Sequence, residues 1–246
     1  LLASLDVSKF NTSKVTNMSF MFWRCDSLTS LNVSNFNTSN VTTMSDMFYG
    51  CMSLTTIDVS KFKTDNVTNM DDMFGWCEKL QSLDLSNFNT SKVTNMMYMF
   101  VECSTLRSLN VSSFDTSNVE NMVGMFECCE SLTTIDISNF DTSKVTDMAM
   151  MFYRCTSITS LDLSSFDTAS VTNMFAMFEI DSNLSTIYVS NAWTVDAVTK
   201  SDDMFRDCYS LRGDRSYDSS VIDKTYATAS GGYLTLKAST QSIKLN

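Results

Sequence analysis

Thiols and carboxylates are the groups in this chain reactive enough to define a site. Seven of the eight cysteines stand at one repeated position: Cys25, Cys51, Cys77, Cys103, Cys129 and Cys155 lie 26 residues apart, and Cys208 completes the set. Stacked units would bring neighbouring cysteines to about 5 Å, within disulfide range, but with parallel Cβ vectors that disfavour a bridge. No C-x-x-C pair indicates zinc. The chain contains no His, which removes Ser-His-Asp and Cys-His catalysis and every His-ligated metal site. The repeated cysteines therefore read as small buried hydrophobes. Cys128 differs. It precedes Cys129 at a variable, outward position and is expected to be the one reactive thiol.

The carboxylates form a ladder as well. Asn32, Asp58, Asp84, Asn110, Asp136 and Asp162 occupy one position of successive units. Asp58 and Asp84, like Asp136 and Asp162, would lie about 5 Å apart, where like charges repel. Hydrogen bonds from flanking Ser residues could offset this, as could weakly bound Ca²⁺ or a basic partner. Paired carboxylates are also the tools of glycoside hydrolysis. A uniform ladder lacks the one distinct pair an active site needs, so the chain reads as a non-enzyme. No cofactor is implied beyond weak Ca²⁺ on this ladder.

A third group is aromatic. In "NMSFMFWRC" (17–25), Met18, Met21, Phe22 and Cys25 repeat in later units, whereas the places between them vary. Those variable places hold Phe20, Trp23, Arg24, Tyr49, Trp76, Tyr98, Tyr153, Arg154 and Phe175. Solvated faces drift toward Lys, Glu, Ser and Asn; outward rings in adjacent units are typical of protein recognition. These nine residues are the candidate ligand-binding face. The Asn32–Asp162 ladder is the second candidate. A Thr ladder, Thr12, Thr38, Thr64, Thr90, Thr116, Thr142 and Thr168, raises ice binding, against which Lys14, Lys63 and Asp65 count.

The element that must position these groups is a repeat. Phe10, Phe36, Phe62, Phe88, Phe114, Phe140 and Phe166 are each 26 apart. Units begin at Leu2, Leu28, Leu54, Leu80, Leu106, Leu132, Ile158 and Leu184, the last degraded and one residue longer. Within a unit, "LTSLDVS" alternates inward and outward residues, which predicts a short strand. Met18, Met21, Phe22 and Cys25 fall at i, i+3, i+4 and i+7, which predicts a short helix capped by Thr16 or Asn17. Phe10 and Val15 are expected to face inward. A lone unit cannot bury enough apolar surface to fold, so stability belongs to the stacked array. Residues 1–213 form the solenoid, and 214–246, with "GGYLTLK", are expected to cap its open end.

"MFYGCMSLTTIDVSKF" (47–62) and its copies resemble the 26-residue repeat of bacterial surface proteins related to BspA-like leucine-rich repeats. The resemblance covers 2–213. The tail "YDSSVIDKTYATASGGYLTLK" is similar to the segment that closes such arrays. Phe stands where the Asn ladder of ordinary leucine-rich repeats would be, and Asn17, Asn69, Asn95, Asn121 and Asn173 form a different one. The resemblance implies an α/β fold: a right-handed solenoid of leucine-rich-repeat type, with a parallel strand ladder and short helices, eight repeats plus a C-terminal cap. It implies a surface-exposed or secreted binding or adhesion protein without catalytic residues. The alternative is a structural stalk presenting another domain.

Composition narrows the partners. The chain has 246 residues and a net charge of −11. That disfavours nucleic acid and anionic membranes, both of which attract positive charge. No run of 18 apolar residues exists to insert in a bilayer. The expected partner is a protein or glycan, host matrix included, and the chain is expected to be monomeric. It begins inside a repeat at Leu1-Leu2, so further repeats or a cap are expected upstream.

Overall fold

The computed structural model describes residues 2–238; positions 239–246, the end of the expected cap, lie outside them. Two parallel ladders run along the array. One is made of short strands: β1 (Ser82–Asp84) pairs with β2 (Ser108–Asn110), and β3 (Ser160–Leu163) with β4 (Thr186–Val189). Partners stand 26 residues apart, as Leu83 and Leu109 do. The alternation predicted for this segment holds: Leu83 is buried between exposed Ser82 and Asp84. The second ladder is a chain of single parallel bridges from Asn17 to Thr43, Asn69, Asn95, Asn121, Asp147, Asn173 and Lys200.

The predicted helix does not form. Its segment is a run of overlapping β-turns. The N–H groups of Met21, Trp23 and Cys25 donate to Met18, Phe20 and Phe22 O, closing three-residue steps at 3.1–3.3 Å. The intervening N–H groups of Phe20, Phe22 and Arg24 donate along the solenoid axis to Ser45, Met47 and Tyr49 O at 3.1, 2.9 and 2.7 Å. Later units repeat this scheme. Bonding to the next unit replaces bonding to the next helical turn, an option open only to a periodic stack. The first and last of these turns are of the kind that requires φ > 0 at the third residue, and Phe20 and Arg24 have φ of 61° and 54°. The same two places in every later unit share that sign. Asn17 is no helix cap either. Its Oδ1 accepts the Ser19 N–H at 2.7 Å, an Asx turn that starts the run.

The apolar face expected of the helix is nevertheless buried, because alternating turns also place i, i+3, i+4 and i+7 on one side. Met44, Met47, Phe48 and Cys51 are fully buried. Phe22, Phe48, Phe74, Phe100, Phe126, Phe152, Phe178 and Phe205 form one stack with centroids 5.4–6.0 Å apart. Of the other Phe ladder, Phe36 to Phe166 are buried; Phe10, in the first unit, is exposed, and Val15 is half-buried. The inward expectation fails for Phe10, which only one neighbouring unit among the described residues covers, whereas Val15 packs against the core.

The Thr ladder is buried, not displayed. The Thr116 hydroxyl donates to Asp141 O and accepts from Asp141 N, both at 2.8 Å. Each Thr of the ladder donates its hydroxyl to a backbone carbonyl of the next unit, so these hydroxyls are not free to order water. Beyond the last unit, β5 (Thr235–Leu236) adds in parallel to β4. Tyr233, fully buried, meets Phe205 edge-on at 5.3 Å and ends the Phe stack. A single 3-10 turn, Lys224–Tyr226, lies in the same segment, and the Trp193 indole donates to Ala227 O at 3.1 Å.

Candidate functional site

The turn run presents three variable rows. Phe20 heads the first, Trp23 the second and Arg24 the third. The first and third are the positive-φ positions, where Gly is the least strained residue. Of sixteen such places only Gly50 and Gly124 are Gly; Tyr, Trp, Arg, Met, Ile and Asp fill others. Side chains are kept there at a conformational cost of about 1–2 kcal/mol each.

Four of the nine candidate residues come together. Trp23, Tyr49, Trp76 and Tyr98 line one open groove of about 480 Å³ with Val101. The Trp23 and Tyr49 rings are stacked, centroids 6.4 Å apart and planes 13° apart. Trp76 comes from the third row and Tyr98 from the first, so the groove cuts diagonally across the units. Gly75 opens it. A Cβ there would stand 3.0 Å from a Tyr49 ring carbon, 2.9 Å from Asp72 Oδ1 and 3.1 Å from Val101 Cγ1. Gly124 has the same role under Tyr98, and Gly50 under Arg24. Gly50, Gly75 and Gly124 all lie on this face, each beneath a side chain of the preceding unit.

The remaining candidates do not join the groove. Phe20 and Phe175 are exposed singly. Tyr153 is half-buried further along. The Arg24 guanidinium lies over Trp23, 5.7 Å from the ring centroid, at the groove's end. Arg154 pairs with Glu130 at 2.9 Å.

Carboxylates complete the lining, and these the sequence reading left out. Asp46, Asp72, Glu102 and Glu127 share the groove, and among the described residues none forms an ion pair. Glu179, farther along the Glu127 row, has Arg206 as partner. Burial, then the charges of Asp46, Asp71 and Glu127, push the Asp72 carboxyl up to about 7. Burial and Glu102 push Glu127 up to about 7. Glu127 Oε2 and Asp71 Oδ1 are shut off from solvent without a hydrogen-bond partner. The available signal was acidic residues in adjacent units at the rows that elsewhere hold rings.

The strand face is different. Its carboxylates are turned onto their own backbone. Asp58 Oδ1 accepts the Ser60 N–H at 2.9 Å, Asp84 that of Ser86 at 3.0 Å, and Asp136 that of Ser138 at 3.1 Å. Asn32 and Asn110 do the same for Ser34 and Ser112. Asn110 Nδ2 also donates to Asp84 Oδ1 at 2.9 Å. Hydrogen bonds from Ser60 hold Asp58 below the usual carboxylate range, and those from Ser86 and Ser138 do so for Asp84 and Asp136. At Asp162 burial opposes ionisation, but Lys237, reaching back from beyond β5, and Ser164 outweigh it. A hollow of about 460 Å³ near Asn32 and Asp58 is walled by backbone, Ser, Thr and aliphatic residues. Among the described residues no three Asp, Glu or Cys side chains are placed to hold a metal ion.

The thiols need one correction. All eight are free, and the ladder members from Cys51 onward are buried. Each of these donates its S–H to a Phe carbonyl of the preceding unit, as Cys103 does to Phe74 O at 3.2 Å. Cys128, expected outside, is buried too. Its short side chain lies between Glu102 and Arg154, and burial with the nearby Glu102 charge drives its thiol far up. Cys25 is the half-exposed one. Asp181 takes the ladder's place between Cys155 and Cys208. It is fully buried and neither carboxyl oxygen has a hydrogen-bond partner.

No helix among the described residues is long and apolar enough to cross a membrane. Among solved structures, the chain is similar to a leucine-rich cell surface protein of Faecalibacterium prausnitzii A2-165, at 18% identity over 80% of this chain and 76% of that one, TM-score 0.33. It is also similar to a leucine-rich repeat protein of Bacteroides ovatus ATCC 8483, at 18% identity over 86% and 69%, TM-score 0.23. A third is the functional domain of InlJ from Listeria monocytogenes, described as including a cysteine ladder, at 17% identity over 85% and 47%, TM-score 0.22. A comparison with curated proteins gave no significant match. The resemblance to BspA-like repeat proteins read from the sequence is borne out. Three overlapping stretches, residues 2–106, 76–186 and 135–230, match the family described as "Mycoplasma protein of unknown function, DUF285", and the chain belongs to that family.

Proposed function

We propose that the chain is a non-catalytic binding module of a cell-surface or secreted protein, and that it engages its ligand through the turn face. The observation that carries this reading is the groove itself. Rings from four consecutive units, Trp23, Tyr49, Trp76 and Tyr98, converge on one open space, and two of them, Trp76 and Tyr98, stand at positions where the backbone would be less strained with Gly. Amphipathic rings in an open groove supply contact area at low entropic cost, the property that makes Trp and Tyr prominent in recognition. The strand-face carboxylates are already committed to local turns or to Lys237, which leaves that face less to offer a ligand.

The test is a screen of the intact chain against proteins and glycans, followed by oxidative footprinting of the complex with any ligand found. Trp23 and Trp76 should be protected on binding, and Tyr188, exposed beside Asp162 on the strand face, should not. Protection confined to Tyr188 would place the ligand on the other side. A screen with no ligand would favour the stalk reading.

A further inference from the structure

The groove pairs two half-buried carboxyls, those of Asp72 and Glu127, each with a ring. Over Gly75, the Tyr49 ring edge and Asp72 Oδ1 both come within about 3 Å of the place a Cβ would occupy. Over Gly124, the Tyr98 ring and Glu127 Oε2 do the same. Two glycines, two rings and two acids thus make the same arrangement twice, two units apart and in different rows. Trp23 and Trp76 flank it.

Among the described residues no Lys or Arg neutralises these acids, although the array supplies Arg154 to Glu130 and Arg206 to Glu179 close by. Glu127 Oε2 is closed to water yet unpaired. A ring face is electronegative and attracts cations, and a carboxylate beside it adds direct Coulomb attraction. The groove's own end shows the affinity: the Arg24 guanidinium rests over Trp23. A space of about 480 Å³ admits one or two extended side chains rather than a folded element. The chain's net charge of −11 would draw a basic partner toward it.

We infer that the groove is a receptor for cationic side chains, Lys or Arg presented on an exposed segment of a partner protein, each head group held between a ring and the carboxyl beside it. This rests on the turn face being the binding face and specifies its ligand chemistry. An uncharged glycan would use the rings but leave the acids unmatched, so the carboxylates favour the basic protein segment.

The experiment uses the intact chain and two end-blocked peptides of identical sequence, one with free lysines and one with every lysine Nε-acetylated. Binding is read from Trp fluorescence and calorimetry. The free-lysine peptide should bind at least about tenfold more tightly than the acetylated one, and its affinity should fall as salt rises. The double variant Asp72→Asn/Glu127→Gln should lose about tenfold in affinity. Its melting temperature should not fall, since amides match the acids in shape and carry no charge to desolvate. Asp58→Asn/Asp84→Asn should bind as the wild type does, because Asn retains the Oδ1 that accepts the turn N–H, as Asn32 and Asn110 do. Equal binding of the two peptides, wild-type affinity in Asp72→Asn/Glu127→Gln, or no binding up to about 1 mM would overturn the cationic assignment. A neutral oligosaccharide that binds the wild type and is lost with Trp23→Ala/Tyr49→Ala/Trp76→Ala would also overturn it, while leaving the turn face as the binding face. Loss of all binding in the strand-face variant alone would overturn both.

Discussion

The Tyr98 ring lies across Gly124, occupying the space a side chain would take: a Cβ on Gly124 would fall closer to Tyr98 Cε1 and Cδ1 than two heavy atoms can approach. Gly124 also has φ of +57°. Gly124→Ala therefore adds left-handed strain to a clash and must expel the ring. We expect a loss of about 2–4 kcal/mol in denaturant titration. Gly231→Ala is the control. Its φ is +70° and nothing lies within 4 Å, so it should cost only about 1 kcal/mol.

A buried Thr should matter more than its small side chain implies. Thr116→Val removes a hydroxyl that both donates to and accepts from Asp141 backbone, leaving a peptide N–H and C=O without their partner. The expected cost is about 1–3 kcal/mol. The same burial predicts no thermal hysteresis of ice growth for the wild-type chain, measured by nanolitre osmometry.

The strand ladder, the repeat, the buried Met and Phe positions and the outward rows were all legible, because periodicity reports which side of a segment faces the core. Periodicity does not report which hydrogen bonds hold the segment. Met18, Met21, Phe22 and Cys25 fit a helix and a run of turns equally, and the choice fell to Ser45, Met47 and Tyr49 carbonyls one unit away. Local reading cannot weigh a partner 25 residues distant. Cys128 was misjudged for a related reason. An outward Cβ does not make a residue exposed where long side chains of adjacent units cover the short ones between them. The groove's rings were found one by one, but their convergence depends on Gly75 and Gly124 and on neighbouring acids, which only stacked units bring together.

Asp181 makes stability depend on pH, with a definite sign. Burial raises its carboxyl well above the usual range, against a small opposing effect of the Cys155 N–H; that N–H is already spent on Phe152 O at 3.1 Å. Asp72 and Glu127 are raised too, to about 7. Each binds its proton more tightly folded than unfolded. Their contribution is full below the unfolded value of about 4 and is lost as pH rises toward the folded values. The wild type should therefore melt lower at pH 8 than at pH 5. Asp181→Cys restores the thiol ladder. It should raise stability at pH 8 by about 1–3 kcal/mol and flatten the pH dependence of the melting temperature.

Native thiol labelling should be confined to Cys25, and slow there, because burial and the Asp26 charge raise its pKa. Unfolding should release the other seven. Intact mass spectrometry after a short exposure to a maleimide reads the count directly. Labelling at Cys128 in the folded chain would show that Glu102 and Arg154 do not cover it.

The central claim, that the turn face rather than the strand face meets the ligand, is tested most directly by one paired measurement. The dissociation constant for one ligand is determined with the wild type, with Trp23→Ala/Tyr49→Ala/Trp76→Ala, and with Asp58→Asn/Asp84→Asn, alongside each melting temperature. The aromatic variant should lose binding by at least about thirtyfold, since each ring at an interface centre contributes about 2 kcal/mol or more, and should still unfold cooperatively. The strand-face variant should match the wild type in both. Binding retained by the aromatic variant and lost by the strand-face variant would contradict the account.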